Sequence, residues 1–336
     1  MPSFGYRLFI MQVHRGRKKT PTNFNDCNGE HYQDIVERSL KALSTRTMVG
    51  KANDAPGESD SENESLHGQP ALRVSDINVS DNIVQATILL GSVGSHEKAL
   101  GMGDPSEDAD ISDKAAAKSF RVVMALPSNG LKGFLAVEDI SRTCPVTPLI
   151  RWLKWQSQTD QNSASSASEG WRLTVRHIAD EAHLEEMIRN GQVEKLELVK
   201  NAVNANRARS REEFRVSAPV IERGMLRRVA DLVKTWMPSD DREREPVTPT
   251  DGEAAKLLAA IVGHKVEDLD VDDGWVVIKD ADDRTRRVSP SRMSEFFTYK
   301  QSPDGRADTP RFYTEVRATA LRLQETAEVV VDWPDI

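Results

Sequence analysis

Apolar residues in this chain fall into two interleaved patterns, short strand-like runs and runs spaced three and four apart. YRLFIMQVHRG (6–16) is rich in strand formers and closes on basic residues, which predicts a strand and then a loop. In GEHYQDIVERSLKALST, Ile35, Val36, Leu40 and Leu43 share one helical face. Strands are predicted at ALRVSDINVS, NIVQATILLGSV, FRVVMALP and KGFLAVEDI, with Asn129-Gly130 marking a hairpin between the last two. VTPLIRWLKWQS predicts a helix with Pro148 in its first turn and Leu149, Trp152 and Leu153 on one face.

The second half alternates in the same way. GWRLTVRHI, VEKLELVK and EEFRVSAPV read as strands, and ADEAHLEEMIRNG as a helix capped near Gly191. ERGMLRRVADLVKTWM predicts a helix turning Met225, Leu226, Val229, Leu232, Val233 and Trp236 inward. GEAAKLLAAIVG predicts a short helix, GWVVIKDADDRTRRVS a hairpin, and PRFYTEVRATALRLQETAE a closing helix. Without regular βαβ repetition, the expected class is α+β: two mixed modules of antiparallel hairpins and packed helices, separated by polar linkers.

Polar stretches set the expected boundaries. Residues 51–66 lie in a Ser-, Gly- and Asn-rich segment with five acidic residues between 54 and 64, which predicts a solvated, disordered loop. SQTDQNSASSASEG (157–170) has linker composition. The expectation is an N-terminal domain at 1–156, a linker at 157–170 and a C-terminal domain at 171–336. Only Cys27 and Cys144 occur, which excludes a disulfide framework, and no apolar run approaches the roughly 20 residues of a spanning helix. The opening residues lack signal-peptide character, so a cytoplasmic protein is expected.

Motifs that suggest catalysis or metal binding are incomplete in this chain. DLDVDDGWVVIK places Asp268, Asp270 and Asp272 like a calcium loop, but Asp273 stands where glycine is needed and Lys279 where the bidentate glutamate belongs. HIADEAH spaces His177 and His183 six apart, which does not align two rings on one metal. GSVGSHEKALGMG lacks the Gly-Lys-Ser/Thr ending of a phosphate loop. No catalytic residue, metal or cofactor is expected, and no enzyme.

Charge changes this picture. The formal net charge is −8, yet residues 200–234 hold nine Lys or Arg against four Asp or Glu. Arg207, Arg209 and Arg211 are expected to fan out of a loop at 204–213, followed by Arg223, Arg227, Arg228 and Lys234 on a helix. Arg15, Arg17, Lys18 and Lys19 form a second basic loop, and Arg284, Arg286, Arg287 and Arg292 a third cluster. Guanidinium forks match phosphate oxygens, so clustered arginine points to a polyanion. The competing reading is a solvated face, or one shielded by acidic loops at 54–64 and 267–283.

From about residue 120 onward the chain resembles the RexA family of phage-exclusion proteins. The likeness rests on FRVVMALPSNGLKGFLAVEDISRTCPVTPLIRWL, on WRLTVRHI with EEFRVSAPVIERGMLRRVADLV, and on VEDLDVDDGWVVIKDADDRTRRVS with FYTEVRATALRLQ. The resemblance implies a non-enzymatic homodimer in prophage-encoded antiviral defence and superinfection immunity. It would bind double-stranded DNA largely without sequence specificity and act with a separate membrane partner. The acidic insert and the Asp-rich turn depart from the family's more basic pattern. The alternatives are a protein–protein sensor and a metal-dependent nuclease.

Overall fold

The computed structural model describes residues 2–50, 68–94, 96, 98–99, 109–111, 114–162, 170–178, 180, 182–183, 185–186, 192–203, 209–220, 223–236, 250–261, 273–279, 285–290, 297–301 and 305–334. The chain forms two compact units, one from residues 1–176 and 298–336, the other from 177–297. In chain order the first contributes β1 (Phe4–Arg15), α1 (Tyr32–Ser44), β2 (Met48–Val49), β3 (Pro70–Ser80), β4 (Ile83–Val93), the short pair β5 (Lys98–Ala99) and β6 (Ala109–Asp110), β7 (Ala115–Ala125), β8 (Gly133–Ile140), α2 (Val146–Asn162) and β9 (Trp171–His177). The second contributes β10 (Gln192–Val203), β11 (Arg209–Pro219), α3 (Arg223–Thr235), α4 (Asp251–Ile261), β12 (Asp273–Lys279) and β13 (Thr285–Val288). Then β14 (Thr298–Lys300) and α5 (Thr309–Leu323) rejoin the first unit.

The first unit is an eight-stranded sheet in the order β14-β1-β8-β7-β4-β3-β2, with β9 also paired to β1. Strand β8 is buried at all eight positions, because both faces of the sheet are covered; its sequence runs apolar from Gly133 to Val137 before the buried charges of Glu138 and Asp139. On one face Met11, Val13, Ile88, Val122, Met124, Leu135 and Val137 pack against Ile35, Leu40 and Leu43 of α1 and Leu149, Trp152 and Leu153 of α2. On the other lies α5, whose Phe312 ring meets Tyr6 edge-on at 5.8 Å. Asp308 caps α5 by accepting the Arg311 N–H at 2.9 Å, with Pro310 in the first turn. Strand β14 approaches β1 so closely that a Cβ on Gly5 would lie 2.7 Å from the Tyr299 carbonyl oxygen.

In the second unit four antiparallel strands run β11-β10-β12-β13. Leu196, Leu198, Val276, Ile278 and Val288 form an apolar core with Val229, Val233 and Trp236, from α3 and the residue after it, and Ala254, Ala255 and Leu258 of α4. The sheet and α4 meet without room for a side chain at Gly274, where a Cβ would sit 2.8 Å from the Ala255 Cα. The start of α4 follows from T-x-x-E: Glu253 accepts the Thr250 N–H at 2.8 Å, and Thr250 Oγ1 accepts the Glu253 N–H at 3.3 Å.

The α+β class is as expected, but the boundary is corrected. Residues 157–162 continue α2 instead of opening a linker, and Ser157 Oγ donates to the Trp171 carbonyl at 2.8 Å. Because β9 and β14 both pair with β1, the division falls after Arg176 and again before Thr298. The β7–β8 hairpin forms, though not as a two-residue turn. Its last pair is Ala125↔Phe134, and Asn23 anchors the connection by bonding Asn129 (2.7 Å) and the Gly130 N–H (3.0 Å). The acidic insert at 51–66 lies outside the described residues, as do Asp268, Asp270 and Asp272 and most of the helix expected at 179–191.

Candidate nucleic-acid interface

The first basic cluster sits where β1 ends. Arg15 is partly buried, and Gly16 turns the chain in the left-handed region (φ 53°), its N–H donating to the Gly170 carbonyl at 2.8 Å. Lys18 N–H closes back on the Arg15 carbonyl at 3.0 Å, and Thr22 N–H on that of Val13 at 2.7 Å. A short, braced turn thus projects Arg17, Lys18 and Lys19 into solvent. Arg172 of β9 donates to the Lys18 carbonyl at 3.1 Å, adding a cation that the local charge count did not single out. Behind the turn His14 is buried, with Nε2 3.0 Å from Thr174 Oγ1. Burial, and then the Arg172 charge, hold its pKa below the ordinary histidine value.

The second cluster is only partly where it was expected. Arg207 lies outside the described residues. The loop expected at 204–213 is corrected over its latter part: Arg209 and Arg211 are in β11, at register positions opposite Val203 and Ala202. Their segment is charged because β11 is an edge strand, and charge on an edge discourages further strand pairing. Arg223 opens α3, and Arg227 and Arg228 are exposed on it, Arg228 donating to the Ile261 carbonyl at 3.3 Å. Lys234 is held by Glu185 at 2.8 Å.

From the third cluster, Arg284 and Arg292 lie outside the described residues, and Arg286 stands opposite Ile278 in the β12–β13 register. Arg287 joins a centre that the sequence pattern did not reveal. On the sheet face away from α3 and α4, Glu197 of β10 accepts from Lys195 Nζ at 2.7 Å, pairs with Arg287 Nε at 3.3 Å and with Arg215 Nη1 at 3.4 Å, and accepts the Trp275 indole N–H. The Arg287 and Arg215 guanidiniums lie 5.2 and 5.8 Å from the Trp275 ring centroid. Glu197 is 1 % exposed, whereas the side chains of Lys195, Arg215 and Arg287 are 41 %, 31 % and 44 % exposed. Burial would raise the Glu197 pKa, but the Lys195 and Trp275 hydrogen bonds and the Arg287 charge outweigh it and lower it.

A second unforeseen centre lies in the first unit. Glu138 of β8 pairs with Arg121 of β7 at 2.6 Å and with Arg306 at 2.7 Å, and accepts from Gln301 Nε2 at 3.0 Å. Arg121 also donates to the carbonyls of Ala307 and Asp308, both at 2.8 Å, and lies 4.2 Å from the Phe312 centroid. Burial opposes ionisation of Glu138, but the hydrogen bonds from Arg306, Arg121 and Gln301 prevail and bring its pKa to about 2. The donors here are turned onto the protein's own carbonyls and carboxylate, so the centre is a fastening and not a receptor.

Among the described residues, no group of three His, Cys, Asp or Glu side chains is placed to hold a metal ion, and no helix is long and apolar enough to cross a membrane. No family model, curated protein or solved structure matches the chain.

Proposed function

We propose that the protein is a cytoplasmic, homodimeric binder of duplex DNA that neutralises backbone phosphates without reading bases. In this reading it serves prophage-encoded phage exclusion as a sensor acting with a separate membrane partner, the setting implied by its resemblance to the RexA family. The observation that carries the DNA reading is that Arg17, Lys18, Lys19 and Arg227 are exposed and make no ion pair with a carboxylate among the described residues. A braced turn and a helix hold the backbone beneath these cations, so only their side chains need ordering on meeting phosphate, and such interactions position a duplex rather than select a sequence.

The test is a gel-shift titration of unrelated duplexes over a range of salt. Binding should be similar for all of them and fall steeply with salt. Replacing Arg17, Lys18 and Lys19 by Ala, or Arg227 and Arg228 by Ala, should weaken every duplex alike. For each phosphate that a variant no longer neutralises, the log–log salt slope should flatten by about 0.9. Absence of binding at low salt, or binding indifferent to salt, would overturn the reading.

A further inference from the structure

The outer face of the second unit's sheet carries chemistry that binding to phosphate alone does not require. Its rows are set by register: Glu197 lies opposite both Ser217 and Trp275, Lys195 opposite Val277, and Val277 opposite Arg287. The inward residues of the same strands build the apolar core with α3 and α4, so the outward row has no packing role in that core. The Trp275 indole stands in that row among charged side chains and the buried Val199 and Val277. It is also fixed in orientation, because its N–H is bound by the buried Glu197 carboxylate.

We infer that this face receives unpaired polynucleotide, with bases stacking on the platform formed by Trp275, Arg215 and Arg287 and with backbone phosphates meeting Lys195 and the two guanidiniums. The inference rests on the nucleic-acid reading above and narrows it for this face to single strands. Three partly exposed cations meet one buried carboxylate that solvent barely reaches. Arg215 and Arg287 come from the two outermost strands, β11 and β13, yet both guanidiniums reach the same Glu197 oxygen, so the positive charge converges beside Trp275. Bases stack on aromatic rings and on guanidinium planes alike, and this site presents both together. A duplex keeps its base faces inside its own stack and would find only the cations.

The full-length protein would be titrated with labelled mixed-sequence oligonucleotides of about 12 nucleotides, as single-stranded DNA, single-stranded RNA and duplex DNA, with polyglutamate as a base-free polyanion. Trp275→Ala should lower single-strand affinity about tenfold or more and leave duplex affinity within about twofold, and Trp275→Phe should recover most of the loss. A difference between the DNA and RNA arms would identify which backbone the face prefers; equal binding supports the shared chemistry. Equal loss for single strand and duplex, or no loss for either, overturns the inference while leaving the duplex reading standing. So does displacement of single strands by polyglutamate as effective as by unlabelled oligonucleotide, which would mark the face as a dock for acidic protein. No binding to any nucleic acid would remove both.

Discussion

Glu138 and Glu197 are the same device used in opposite ways. Each is a carboxylate on a central strand, almost wholly removed from solvent, and each is ringed by cations that keep it ionised. At Glu138 the strand cation is buried too: Arg121 is 5 % exposed and divides its donors among the carboxylate and two backbone carbonyls that lead into α5. At Glu197 the side chains that carry the cations are 31–44 % exposed. Satisfied donors in a dry site hold a fold together, whereas half-solvated ones retain capacity for a further anion.

The largest effect should come from breaking the dry centre. Arg121→Ala leaves the Glu138 carboxylate buried beside fewer donors and should cost about 3–5 kcal/mol, measured by chemical unfolding of the full chain. A loss comparable to a surface substitution would erase the contrast. The same centre should set an acid limit. A carboxyl held at about 2 against an ordinary 4.5 contributes stability that is fully present above 4.5 and drains as pH falls from 4.5 toward 2. Glu138→Gln should be less stable at neutral pH and show a shallower decline across that window, seen in unfolding midpoints measured at successive pH values. The smallest effect belongs to the wet centre: Arg215→Ala should change stability by no more than about 1 kcal/mol, because Lys195 and Arg287 remain on Glu197 and solvent screens the pair. A larger cost would mean that Glu197 is a second fastening.

The elements were largely legible in the sequence, because they rest on local period and capping. Ile35, Leu40 and Leu43 of α1 are buried as their spacing requires, and α5 forms within the segment expected as the closing helix. Arg209 and Arg211 of the expected 204–213 loop lie in β11, the outermost strand of its sheet among the described residues, because the strand begins ahead of the Glu212 where the pattern placed it. The basic loop after β1 and the exposed arginines of α3 were visible as clusters. The two glutamate centres were not, because Trp275 and Glu197 are 78 residues apart and Arg306 and Glu138 are 168 apart, and only the folded chain joins them. One signal was present for Glu138: Arg121 is flanked by Phe120 and Val122 and Glu138 directly follows the apolar run 134–137, and charges in such runs are seldom buried without a partner.

The double pairing of β1 has a consequence for how the molecule is made. Its flank is shared by β9 and by β14, and the latter is supplied only after the entire stretch 177–297 has been synthesised. The first sheet therefore waits, one border incomplete, while the intervening chain leaves the ribosome. Closing so distant a pairing carries an entropy cost that grows only slowly with the length spanned. In order of synthesis, Arg121 and Glu138 can meet Arg306 and Gln301 only after that stretch has emerged.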